Sequence, residues 1–146
     1  MYKPKKLQIK GTNSSGDRIV FNLDLRGTVT IIRGYSSTGK TLLCKMARQM
    51  IEGGNEDIVV LGPSEGSTIN SVLSEYRNKI IIIDNADICV GNKVLEHILQ
   101  DENNYYILMR RNNYGIELSP NYYATLEDDG NMTVKLKYKW NEPRWY

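Results

Sequence analysis

The chain has 146 residues, 40% of them hydrophobic and 25% charged, with a formal net charge of +2. That length supports one domain with a buried core and is too short for two comfortable ones, so residues 1–146 read as a single unit. The charge balance is too even to single out nucleic acid or a membrane as a partner. Ile80 to Ile83 is far short of bilayer length, and the basic start Met1-Tyr2-Lys3-Pro4-Lys5-Lys6 has no apolar stretch behind it, so it does not read as a signal peptide. Cys44 and Cys89 stand apart in apolar surroundings, which fits reduced thiols in a cytoplasmic protein better than a disulfide. With His97 the sole histidine, zinc chemistry has almost nothing to work with.

In chain order, Lys6 to Lys10 and Arg18 to Leu25 read as two strands around a Gly/Ser/Asn turn. Ile19, Phe21, Leu23 and Leu25 alternate with more polar residues, as in a half-exposed N-terminal hairpin over about 6–26. Thr28 to Arg33 is β-branched and reads as a buried strand. Gly34-Tyr35-Ser36-Ser37-Thr38-Gly39-Lys40-Thr41 follows, with the spacing G-x-x-x-x-G-K-T. Glycines at both ends let a backbone wrap a phosphate with its N–H groups pointing inward. Lys40 then reaches the outer phosphates and the Thr41 hydroxyl faces Mg²⁺. A helix carrying Leu42, Leu43, Met46, Ala47, Met50 and Ile51 opens there, aiming its positive end at the same anion.

Ile58 to Leu61 is the next strand. Ile69, Val72, Leu73 and Tyr76 form a helical stripe. Lys79 to Asp84 is apolar on both faces, as an interior parallel strand must be. Val94, Leu95, Ile98 and Leu99 mark another helix, and Tyr105 to Met109 another strand. Alternation of strand and helix over about 28–113 predicts an α/β core with a mainly parallel sheet flanked by helices. Tyr122 to Leu126 and Thr133 to Trp140 predict a C-terminal hairpin over about 120–140.

Four isoleucines ending in Asp84 place an acid at the carboxyl end of an interior strand, in the crevice where open α/β sheets bind ligands. Asp84 there would hold Mg²⁺ beside Thr41. With the Gly34–Thr41 loop as Walker A and Ile80 to Asp84 as Walker B, the chain resembles P-loop NTPases. The extra strand between the two motifs is similar to the ATPase branch that includes AAA+ proteins. That resemblance implies a P-loop NTPase sheet, ATP with Mg²⁺, a cradle of Gly34 to Thr41 and Leu42, and a site often completed by a protein partner or a second copy. The guanine-reading N-K-x-D is absent from Asn78-Lys79-Ile80-Ile81 and Asn92-Lys93-Val94-Leu95, which points to ATP over GTP. The helical lid of complete AAA+ modules is missing, because the residues after Asn113 read as β.

One departure bears on turnover. Where the family carries a catalytic Glu after the Walker B Asp, this chain has Asn85, which orients a water but cannot take its proton. Asp87 is the nearest carboxylate that could substitute; it equally serves as a turn cap. Asn112 or Arg110 would take the family's sensor position, and Arg33 would take a trans-finger role toward a neighbouring subunit. The expectation is a slow or partner-dependent ATPase. The alternative is a nucleotide-stabilised binding or inhibitory module, suited to a compact phage- or mobile-element-encoded regulator. A small-molecule kinase is disfavoured for want of an arginine-rich lid. Lys135, Lys137 and Lys139 share one face of the last strand, and edge protection explains them better than nucleic-acid binding does, given the acids nearby.

Overall fold

A computed structural model describes residues 2–33, 39–66, 68–110 and 122–138. Eight strands form one sheet: β1 (Tyr2–Thr12), β2 (Arg18–Gly27), β3 (Val29–Arg33), β4 (Ile58–Leu61), β5 (Ile80–Ile83), β6 (Tyr105–Arg110), β7 (Tyr123–Gly130) and β8 (Thr133–Tyr138). The helices are α1 (Lys40–Glu52), α2 (Ile69–Leu73), α3 (Ala86–Cys89) and α4 (Asn92–Gln100), with a 3₁₀ turn at Pro63–Glu65.

The strand order is β1-β2-β8-β7-β3-β6-β5-β4. β7, β3, β6, β5 and β4 run parallel to one another. β8 is antiparallel to β7 yet parallel to β2, and β1 is antiparallel to β2. Thr28 alone separates β2 from β3, although β8 and β7 lie between them in the sheet. The sheet must therefore curl back on itself.

This corrects the expectation of a mainly parallel P-loop NTPase sheet flanked by helices, with hairpins at either end. Both hairpins are strands of a single mixed sheet, joined to it by β2 against β8 and by β7 against β3. Of the described residues 45% lie in strands and 29% in helices. α2 and α3 have five and four residues. Alternation of apolar and polar residues specifies a half-buried strand but not its neighbour, so a free hairpin and a strand within a larger sheet share one signature.

Packing explains the curl. Ile9, Ile19, Phe21, Leu23 and Leu25 face α1 and form a core with Leu43, Met46, Ala47, Ile82 and Met109. α1 thus lies between the β1–β2 hairpin and the parallel strands. Gly11 permits the close approach, because a side chain there would overlap Gln49 and Met46. The Gln49 amide also accepts from the Thr12 N–H at 2.9 Å and donates to the Thr12 carbonyl at 3.0 Å. On the other sheet face Ile69, Leu73, Val94 and Ile98 cover Ile31, Ile81, Ile83 and Leu108. Ile80 to Ile83 are all buried, as expected of a strand with neighbours on both edges and cover on both faces. Among the described residues no helix is long and apolar enough to cross a membrane.

Candidate functional site

β3, β5 and β6 are parallel, so their carboxyl ends gather at one rim of the sheet. α1 begins at that rim. Gly39 precedes it in the left-handed conformation, φ 93° and ψ 0°, a geometry open to glycine at little cost. Gly34, Tyr35, Ser36, Ser37 and Thr38 lie outside the described residues, as do Asn112 and Asn113.

Lys40, the first residue of α1, is only 5% exposed. Its Nζ donates to the Arg110 carbonyl at 2.6 Å, where β6 ends. Burial of an ammonium costs free energy unless polar partners compensate, and the Arg110 carbonyl is one such partner. Arg110 itself is 1% exposed and lies opposite Arg33 in the β3–β6 register. The Arg33 guanidinium stacks 5.0 Å from the Tyr123 ring centroid. Thr41 is exposed, and Leu42 is half-buried against the α1 core.

Asp84 is half-buried at the end of β5, with its N–H bonded to the Leu61 carbonyl at 2.8 Å. Its charge reaches α1. Burial, then the Asp84 carboxylate, push the Cys44 thiol up to about 12, and Arg48 opposes them. Asn85 adopts a left-handed conformation, φ 51° and ψ 47°, and its carbonyl accepts from the Ile88 N–H at 2.9 Å. Burial is the main cause of the rise of the Cys89 thiol, and the charges of Asp84 and then Asp87 add to it. The enclosed Oδ1 of Asp87 has no hydrogen-bond partner among the described residues.

The described part therefore brings Lys40 onto the Arg110 carbonyl, with Asp84 directly after β5 and Asp87 in the first turn of α3. Among the described residues no group of three or more His, Cys, Asp or Glu side chains is set to hold a metal. Leu126 was not visible as a site residue from sequence. It reaches Gly39 from β7, and only the tertiary path of the hairpin brings it there.

The far rim is built differently. There a cavity of about 270 Å³ is lined by Ser74, Arg77, His97, Gln100, Asp101 and Asn103. No family model matches this chain, and no curated protein matches it.

Proposed function

We propose that this chain is a P-loop-type nucleotide-binding protein that takes ATP with Mg²⁺ and turns it over slowly or only with a partner. The observation that carries the reading is a buried lysine, Lys40, directly after a left-handed Gly39 and opening α1, within the sequence G-x-x-x-x-G-K-T. A phosphate arriving at this rim is attracted by the lysine's positive charge, and the α1 dipole adds to the same attraction. Thr41 and Asp84 would hold Mg²⁺, which neutralises phosphate charge. Asn85 leaves the attacking water without a carboxylate beside Asp84, and loss of a positioned base commonly lowers rates by about 10²–10⁴-fold.

The same asparagine favours a second reading, a nucleotide-stabilised module that binds another protein or a second copy without turnover. Isothermal calorimetry with ATP and Mg²⁺ tests the shared claim. The unmodified chain should bind, and Lys40→Ala should bind about a hundredfold more weakly, as expected for loss of a charged phosphate contact of ~3 kcal/mol. Absence of binding by the unmodified chain contradicts both readings. Phosphate release under the same conditions then separates them: turnover supports the ATPase, and its absence with a protein partner added supports the module.

A further inference from the structure

We infer that Leu126 is a positioning residue for Gly39 and the start of α1, and that through it the β7–β8 hairpin is coupled to nucleotide occupancy. This rests on the nucleotide-binding reading above. A left-handed glycine is the conformationally softest point of a backbone, since no Cβ restricts its φ and ψ. The Gly39 carbonyl accepts from the Leu43 N–H at 2.9 Å within α1, and packing supplies further restraint. Among the described residues Leu126 lies beside Gly39: a Cβ placed on the glycine would be 3.7 Å from Leu126 Cδ1, ordinary van der Waals distance.

Leu126 is itself well held. It packs against the α1 core and lies opposite Leu136 across the hairpin. β7 is fastened to β3 through Ile31 opposite Tyr123 and Ile32 opposite Ala124. On the opposite face Lys135 meets Asp129 at 3.3 Å and Lys137 meets Glu127 at 3.7 Å, which reinforces the hairpin register. A displacement of the hairpin therefore moves the wall against which Gly39 rests, and with it Lys40. Coupling of this kind is reciprocal: whatever nucleotide does to the hairpin, a ligand on the hairpin does to nucleotide affinity.

The test compares ADP·Mg²⁺ affinity by calorimetry in four chains. Leu126→Ala should weaken binding about fivefold to twentyfold, which is ~1–2 kcal/mol of lost positioning. Leu126→Met, which restores the apolar contact, should lie within about twofold of the unmodified chain. Val134→Ala removes apolar surface from the same hairpin and core without reaching Gly39, and should also stay within about twofold. Should Leu126→Ala fail to fold, hydrogen exchange on the unmodified chain decides: ADP·Mg²⁺ should slow exchange in 123–138 and leave 2–12 unchanged. Equal losses in Leu126→Ala and Val134→Ala, or unchanged affinity in Leu126→Ala, or no slowing in 123–138, overturn the coupling while leaving nucleotide binding intact. No binding by the unmodified chain overturns the reading beneath it as well.

Discussion

The two rims of the parallel strands solve opposite problems. At the amino-terminal rim, Asp101 accepts from Tyr106 Oη at 2.5 Å and from Asn104 Nδ2 at 2.8 Å on one oxygen, and from the Asn103 N–H at 2.8 Å on the other. Asn104, 1% exposed, also receives the Lys79 N–H at 2.9 Å and donates to the Tyr76 carbonyl at 3.0 Å. These bonds tie the end of α4 to the starts of β5 and β6 and occupy both oxygens of the acid, although the enclosed His97 Nε2 nearby has no hydrogen-bond partner among the described residues. At the carboxyl rim a buried ammonium leans on a strand-end carbonyl, an acid acts across to a helix start, and Asp87 Oδ1 has no hydrogen-bond partner among the described residues. A dense hydrogen-bond network favours stability, and ionisable groups gathered at a strand-end rim favour binding.

The largest expected effect that sharpens this contrast is at Asp101. Asp101→Ala strands the Tyr106 hydroxyl and the Asn104 amide and should cost about 3 kcal/mol in urea unfolding. ADP·Mg²⁺ affinity should not change; a matching loss of affinity would break the division between the rims. A smaller effect is expected from pH. Burial works to raise the Asp101 carboxyl, but bonds from Tyr106, Asn104 and the Asn103 N–H, with His97 nearby, outweigh it and hold the group below its ordinary value. A carboxyl depressed in the folded state adds stability above its unfolded pKa and loses it as pH falls through the folded one. Stability of the unmodified chain should thus fall toward that of Asp101→Ala below about pH 4. A gap that stays constant from neutral to acid pH would contradict the assignment. Least of all should change at Lys137, whose side chain is 69% exposed beside Glu127. Lys137→Ala should shift the urea midpoint by no more than about 0.5 kcal/mol equivalent.

The contrast also explains what could be read in the sequence. Ile58 to Leu61 and the Ile80 to Ile83 run are strands because β-branched residues bounded by turn signals leave little alternative. The stripe from Ile69 to Tyr76 stops early, at Leu73. The Tyr76 carbonyl is taken by Asn104 and Arg77, and Asn78 turns to φ 58°, so tertiary bonding overrides helical spacing. α3 is too short to show a periodicity, and it begins only because Asn85 takes a left-handed turn. The union of both hairpins with the parallel strands was hidden because Val20 to Asn22 carry no mark naming Thr133 to Lys135 as their neighbours. At the site, motif spacing singled out Lys40 and Asp84, which stand at the start of α1 and directly after β5. Leu126 looked like an ordinary inward-facing strand residue.

Hydrogen exchange with and without ATP·Mg²⁺ tests the central claim most directly, because it reports both rims at once. The account predicts slowed exchange at 39–44 and 84–86, with 101–106 unchanged. Unchanged exchange throughout, or slowing confined to 101–106, would contradict it.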